Sequence, residues 1–525
     1  MNRIKILDCT LRDGGYINQF SFGKKVICDI VRKLVNASVE IIECGFLKSN
    51  AFEEDKSLFG SVEAIKDIIG IKNPKILYVA MIQYGAISNE EISLCDGTSV
   101  DGIRVTFHEH EIESAFILGK QLIEKGYKVF MQPVGTMTYT DEALLTLIQK
   151  VNILQPFAFY IVDTLGSMYK NDLLRMFYLI DHNLNKKIAV GFHSHNNLQL
   201  SFANAQDLMR VDTQRKLIID TSLYGMGRGA GNLCTELVTQ YINTTIELRY
   251  DNLEILDAID SYIKPLDVQY RWGYDVAYCI AATAKCHPNY ASFLLNKQTL
   301  HIKDIHAILS TLKTEERALF NKEYIKEQYI KYMSHHIEDK QVVKFLEENV
   351  KDKEILILAP GKSLNSNTEI INTQIEKKNY YVVSINFLPK DIPINMLFIS
   401  NMKRFGTIEE LNLSEKICTV ITSNIAINKS EVMIVDYSSY LNEEECIVDN
   451  AGLMCINLLR KIGVKKVVLA GFDGFTIYRK DDFFDETMYM DVETEHRLKI
   501  NEAMSRKIKA LGKQMEISFL TESIY

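Results

Sequence analysis

Short apolar runs rich in Ile and Val recur along the first 225 residues: Ile4–Thr10, Ile41–Phe46, Ile76–Ile82, Gly102–Phe107, Lys128–Val134, Ala158–Thr164, Lys187–His195 and Lys216–Tyr224. Between them lie segments whose apolar positions repeat at helical spacing, among them Lys24–Asn36, Glu111–Lys125 and Asp141–Leu154. Each run is apolar almost throughout, as a strand buried on both faces requires. Strands alternating with helices in this way predict an α/β fold, a (β/α)₈ TIM barrel of parallel strands, which typically takes about 250 residues. Periodicity alone leaves an open doubly wound sheet as the alternative.

From about residue 236 the strand beat stops and helical patterns take over: Glu236–Leu248, Ile255–Tyr262, Val276–Lys285, Ile302–Thr311 and Lys322–Met333. A charged run, Glu347 to Glu354, reads as a solvated boundary. Beyond it Ile355–Leu358, Tyr381–Ile385, Met396–Ile399, Thr419–Thr422, Val432–Val435 and Lys466–Ala470 restart an α/β pattern. The expected domains are therefore a barrel over 1–235, a helical extension over 236–350 and a second α/β domain over 351–525. The aromatic segments Tyr270–Tyr274 and His287–Ala291 of the extension suit packing on the barrel or a subunit contact. A lid over the substrate, with Tyr290 as its contact, is the alternative.

Composition narrows the class. A net charge of −8 gives no basic surface for nucleic acid or an anionic membrane. No stretch approaches the ~20 apolar residues of a membrane span. The first residues run directly into a strand pattern without a signal-peptide core, so a cytoplasmic location is expected. The ten cysteines are scattered without a CxxC pair and read mostly as structural thiols.

Reactive groups of such barrels gather at the C-terminal ends of the strands. Asp8-Cys9-Thr10-Leu11-Arg12-Asp13-Gly14-Gly15-Tyr16 follows the first run, and Gly191-Phe192-His193-Ser194-His195-Asn196-Asn197 closes the seventh. His-x-His on a strand puts both imidazoles on one face. Two His and a carboxylate with open positions make a common divalent-metal arrangement. Buried, satisfied histidines and a helix-capping Asp13 are the bland alternatives. Arg12, beside Asp13, suits the holding of a carboxylate or an enolate oxygen. After the eighth run, Gly225-Met226-Gly227-Arg228-Gly229-Ala230-Gly231-Asn232 either brings backbone amides to an anion or simply turns tightly.

These three motifs, in this order, resemble those of the DRE-TIM metallolyases, the HMGL-like superfamily of 4-hydroxy-2-oxovalerate aldolase, hydroxymethylglutaryl-CoA lyase and the isopropylmalate and homocitrate synthases. Gly191–Asn204 is most similar to the aldolase branch. The resemblance implies Asp13, His193 and His195 as metal ligands, with Asn232 as a further ligand. It implies Arg12 as the enolate-stabilising arginine, Glu43 as an acidic neighbour of the ligands, and Mn²⁺ or Mg²⁺ as the ion. The aldolase branch carries its acid/base histidine three residues after the ligand Asp, where this chain has Tyr16. Tyr16, His108 and His110 are the candidates for proton transfer, and Tyr16 as a mere packing residue stays open. The cysteine loop of the hydroxymethylglutaryl-CoA lyases is not evident, Cys234 reading as core, nor are the regulatory extensions of the synthases.

In the last domain, Ala359-Pro360-Gly361-Lys362-Ser363-Leu364, Ser384-Ile385-Asn386, Asp449–Met454 and Gly463–Asp473 resemble sialyltransferase-like and other glycosyltransferase-associated Rossmann-like domains. The first segment lacks P-loop spacing. The resemblance implies a nucleotide or nucleotide-sugar site drawing on Gly361, Ser363 and Asn386, with His496 as a distant candidate for the transferase histidine. A structural or oligomerising domain is the alternative.

The expected activity is a metal-dependent aldolase that makes or cleaves a 4-hydroxy-2-oxo acid through a pyruvate enolate. Its partners are pyruvate and an aldehyde, the aldehyde drawn from a sugar in surface-polysaccharide synthesis, and the protein is a homo-oligomer. An acyl-CoA-dependent Claisen synthase or lyase is the enzymatic alternative, and a non-catalytic nucleotide-binding scaffold the other.

Overall fold

A computed structural model describes residues 3–51, 53–409, 417–427, 432–476, 482–484 and 494–525. They form two compact units, one comprising the residues up to Ala291 with Lys313–Phe320, the other Ser292–Leu312 with Asn321–Tyr525.

The first unit is the barrel. Its strands are β1 (Ile4–Asp8), β2 (Ile41–Leu47), β3 (Leu77–Gln83), β4 (Gly102–Phe107), β5 (Lys128–Pro133), β6 (Ala158–Asp163), β7 (Ala189–Ser194) and β8 (Leu217–Thr221). Each pairs in parallel with the next, and β1 pairs with both β2 and β8, so the ring closes. Closure removes the sheet edges and decides against the open sheet. The helix Lys24–Asn36 shows why the intervening segments fold as they do: Ile27, Ile30, Val31 and Leu34 make one buried stripe. The Thr140 hydroxyl caps the helix Asp141–Leu154 by accepting the Ala143 N–H at 3.1 Å.

Strand alternation sorts the side chains into two sets. Ile42, Tyr78, Ile103, Val129, Phe159, Val190 and Ile219 face outward into the main core under the helices. Leu7, Ile41, Val79, Phe130, Ala158, Tyr160, Ala189 and Ile218 belong to a separate cluster inside the barrel. By the same parity Glu43, Arg104, His193 and Asp220 point inward, one step further toward the C-terminal end. Tyr160 lies across the interior because Gly191 leaves the room: a Cβ there would come within 2.3 Å of its ring.

The second unit carries a seven-stranded parallel sheet of β9 (Ile355–Leu358), β10 (Tyr381–Ile385), β11 (Met396–Ile399), β12 (Cys418–Thr422), β13 (Met433–Val435), β14 (Lys466–Ala470) and β15 (Glu516–Phe519), in the order β13-β12-β11-β10-β9-β14-β15. The apolar runs predicted all strands but β15. At the sheet edge β15 has an exposed or half-buried residue at every position, so it lacks the apolar run that marks the others. The helix Ala451–Lys461 is buried continuously from Gly452 to Leu459, and Asn450 caps it by accepting the Leu453 N–H.

The post-barrel helices are divided between the two units. Tyr290 is buried in the first, its hydroxyl donating to the Glu316 and Leu319 carbonyls at 2.7 Å each. That makes it a packing residue and removes it as the contact of a lid. No helix among the described residues is long and apolar enough to cross a membrane.

Gly191→Ala is expected to destabilise the protein by about 1–3 kcal/mol, because the Tyr160 ring has no space to yield. Chemical denaturation reads this, and an unchanged midpoint would mean that the ring is not fixed across the barrel.

Candidate metal centre

The C-terminal ends of β1, β2, β4, β7 and β8 bring six side chains into a closed ring. Arg12 donates from Nη1 to Asp13 Oδ1 and from Nε to Glu43 Oε2, both at 2.9 Å. Glu43 Oε2 also faces Arg104 Nη1 at 2.8 Å. Arg104 then donates from Nη2 to Asp220 Oδ2. Asp220 Oδ2 accepts from His193 Nδ1 at 3.0 Å, and His193 Nε2 faces Asp13 Oδ2 at 3.5 Å. His195 Nε2 stands 4.0 Å from that same Asp13 oxygen. All seven side chains are buried.

The hydrogen bond to Asp220 fixes the imidazole of His193: with its proton on Nδ1, the Nε2 lone pair turns to Asp13. Burial opposes ionisation of Asp13, but the adjacent Arg12 guanidinium holds it well below the ordinary carboxylate range. Asp220 is likewise lowered, Arg104 outweighing burial. Burial pushes His195 down to about 3, with Arg228 adding to the effect, so it stays neutral and able to donate a lone pair.

The donor set fits a divalent cation. Asp13 Oδ2 is buried without a hydrogen-bond partner, as is Oδ1 of Asn232, which forms a backbone bridge with His195. Burial opposes a charged His193, but Asp13 and Asp220 raise its proton affinity; with that imidazole neutral the ring sets three carboxylates against two guanidiniums, and the one negative charge left away from water is a costly state that a cation relieves. The Cys9 thiol also lies in this cluster, within 4.8 Å of ligand atoms of Asp13 and His193. Burial raises that thiol well above its ordinary value. A protonated thiol is a poor ligand and thiolate suits softer metals, so His195 is the better third donor.

The glycine loop is locked over this centre. Asn196 N–H donates to the Gly231 carbonyl, Asn232 N–H to the Gly225 carbonyl and Ala230 N–H to Asn197 Oδ1. At Gly231 φ is +80° and a Cβ would meet the Gly225 carbonyl at 2.1 Å, so only glycine folds the loop back on itself here. Of the proton-transfer candidates, Tyr16 lies at the rim, 37% exposed, in edge contact with Phe20 and beneath the Arg228 guanidinium. His108 and His110 instead stack on one another with centroids 5.8 Å apart, and burial lowers His108. Among the described residues, no hydrogen bond or ion pair joins either to the ring.

Sequence reasoning missed Arg104 and Asp220. Their signal was a charged residue inside an otherwise apolar strand, in Gly102-Ile103-Arg104-Val105 and Ile218-Ile219-Asp220-Thr221, at the inward parity. Such charges are rarely buried without a partner.

A parallel barrel with a buried carboxylate–imidazole cluster at the C-terminal mouth has its candidate metal site where TIM-barrel enzymes carry their active sites. Residues 3–260 match the HMGL-like family. A 4-hydroxy-2-oxovalerate aldolase of Geobacillus genomosp. 3 is 27% identical over 272 residues, covering 50% of this chain and 77% of the relative. An oxaloacetate decarboxylase of Mycobacterium tuberculosis is 25% identical over 265 residues, 49% and 75% of the two chains. The crystal structure of the HMG-CoA lyase from Brucella melitensis superposes with a TM-score of 0.41 at 15% identity, over 51% of this chain and 99% of that one. The barrel belongs to the HMGL-like family of DRE-TIM metallolyases, and with it the chain is a carbon–carbon lyase.

Asp220→Asn preserves shape but removes the charge that orients His193 and neutralises Arg104. The expected result is a folded protein that binds Mn²⁺ about 10- to 100-fold more weakly, read by calorimetric titration. Unchanged affinity would dissociate the ring from metal binding.

Proposed function

We infer that the barrel is a divalent-metal-dependent aldolase that makes or cleaves the C3–C4 bond of a 4-hydroxy-2-oxo acid through a pyruvate enolate. The observation that carries this reading is the convergence of His193 Nε2 and His195 Nε2 on the unpartnered Asp13 Oδ2. Asp13, His193 and His195 would hold Mn²⁺ or Mg²⁺, with Asn232 Oδ1 as a further donor. Bound there, the ion supplies Lewis acidity toward the carboxylate and keto oxygens of a 2-oxo acid.

Arg12 spends Nη1 on Asp13 and Nε on Glu43, and its buried Nη2 is left without a partner. A guanidinium N–H so placed can hydrogen-bond the oxygen that becomes negative as the enolate forms. Glu43 and Arg104 keep Arg12 in that pose. In cleavage the C4 hydroxyl loses its proton as the C3–C4 electron pair moves into the enolate; the aldehyde leaves and C3 is then protonated. Tyr16, beside Arg12 and open to the mouth, is the residue we assign to the hydroxyl proton.

For the second unit we take the Rossmann-like reading and infer a site for a nucleotide or nucleotide sugar. A cavity of about 470 Å³ opens at the C-terminal ends of β9, β10, β11 and β14, lined among others by Gly361, Asn386, Arg404, Asp473 and His496. Parallel sheets bind ligands at such a switch in strand order, here between β9 and β14. Asn386 adopts φ +60° and accepts the Ser400 N–H at 3.1 Å, while Ser363 donates its N–H to Asp473 at 2.7 Å. A nucleotide-linked sugar here is consistent with a sugar-derived aldehyde in polysaccharide precursor synthesis.

Metal-loaded protein is expected to exchange the methyl protons of pyruvate in D₂O, to lose this with EDTA and to regain it with Mn²⁺. His195→Ala should slow the exchange by about 100-fold or more. Absence of exchange in protein with bound metal would overturn the aldolase reading. Cytidine nucleotides or nucleotide sugars should raise the melting temperature in a concentration-dependent manner. No shift with any of them would remove the nucleotide assignment.

A further inference from the structure

Among the described residues Arg228 makes no hydrogen bond or ion pair with the ring, yet it stands over the same barrel mouth. Its guanidinium carbon lies 4.3 Å from the centroid of the Tyr16 ring. Its Nε is buried without a hydrogen-bond partner, and among the described residues no carboxylate pairs with it. Arginines held near a reaction centre otherwise find an acid, as Arg12 and Arg104 do.

The backbone around Arg228 is over-determined. Gly229 sits at φ +67°, where a Cβ would strike Asn197 Oδ1 at 2.8 Å, and Asn232 is bridged to His195. The loop therefore presents Arg228 from a fixed base. On its outer side lies Trp272, whose indole N–H donates to the Tyr224 carbonyl at 3.1 Å and whose ring sits 3.3 Å from the position of a Gly231 Cβ. His287 is within electrostatic range: burial, reinforced by Arg228, lowers it to about 4 and keeps it neutral. The mouth thus holds a stacked guanidinium, aromatic walls and, among the described residues, no carboxylate paired with that guanidinium.

Charge balance makes an anion its counterpart. The ring carries one net negative charge, a divalent ion reverses it to one positive, and a bound 2-oxo acid anion neutralises that. Arg228 then remains as an uncompensated cation between the centre and solvent, at the edge where the second substrate enters. Resting on the aldolase reading above, we propose that Arg228, stacked on Tyr16, binds an anionic group of the acceptor aldehyde, so that the substrate is an aldehyde bearing a phosphate or carboxylate. Arg228 is a specificity-determining residue: it holds the far end of the aldehyde while the carbonyl lies toward Tyr16. A planar guanidinium suits the bidentate grip of either oxyanion.

The single tryptophan of the chain, Trp272, reports on this loop. Full-length protein with Mn²⁺ and pyruvate is titrated with glyceraldehyde 3-phosphate, 4-oxobutanoate and propanal, following Trp272 fluorescence and, in parallel, the KM of aldol formation. Wild type is expected to prefer the charged aldehydes over propanal, and the tighter of the two identifies phosphate or carboxylate as the natural group. Arg228→Gln should weaken the charged aldehydes by about 10- to 100-fold and change the KM for propanal by less than about threefold. Arg228→Lys, which keeps the charge without the fork, should fall between and decides the matter if the glutamine variant does not fold. Equal binding of charged aldehydes by wild type and variant, or a wild-type preference for propanal, overturns the proposal. Pyruvate proton exchange in wild type without aldehyde separates the two failures. Exchange with no effect of Arg228 sinks this inference alone, whereas absent exchange sinks the aldolase reading on which it rests.

Discussion

Glu43 Oε2 sits between two buried guanidiniums, Arg12 and Arg104, and the site depends on that shared oxygen. On one side it orients Arg12 and through it Asp13; on the other it holds Arg104, which holds Asp220, which turns His193 back to Asp13. Each member is too costly to bury alone, so the ring forms as a unit or not at all. Removing one partner strands a charge where water cannot screen it. The same closure leaves Asp13 Oδ2 and Arg12 Nη2 among the buried atoms without a hydrogen-bond partner at that end of the barrel. Stability and chemical competence are therefore parts of one electrostatic arrangement.

Below the ring the barrel interior is apolar, and the joint between the layers is Tyr160. Its ring lies 5.0 Å from the Arg104 guanidinium carbon, and its hydroxyl donates to Asp220 Oδ1 at 3.0 Å. Gly191, on the strand that ends in the two histidines, gives up its side chain so that this ring can cross the interior. The packed floor thus supports the polar layer directly, which limits how far Arg104 and Asp220 can relax. Above the ring, the glycine loop and the helical segment that bears Trp272 form the mouth, with Tyr16 at its rim.

The two units gather their strand ends by different topologies. In a closed barrel every strand end faces one mouth, so residues from β1, β2, β4, β7 and β8 meet. In the open sheet of the second unit the strand order reverses beside β9, and the diverging connections leave a cavity there. Strands β9 to β14 were legible as apolar runs, including the edge strand β13 with Met433, Ile434 and Val435. β15 was not, since Glu516 and Ser518 interrupt its four residues and none of them is fully buried.

Sequence alone determined the eight strands of the first unit, because burial on both faces writes an unbroken apolar run into each, while their closure into a barrel was decided by the pairing of β1 with both β2 and β8. Asp13, His193 and His195 were legible because they sit in local motifs: an Arg–Asp pair after one strand and a His-x-His whose period of two sets a common face. Only tertiary structure decided what completes the centre. Arg104 and Asp220 are 116 residues apart and Asp220 pairs with His193 across strands, so no local spacing relates them. Tertiary structure also set Tyr16 apart from His108 and His110, and placed Arg228 on the Tyr16 ring from more than two hundred residues away. Parity and strand order fix which residues can meet; which of them do is fixed by closure of the barrel and by pairing of the charges it buries.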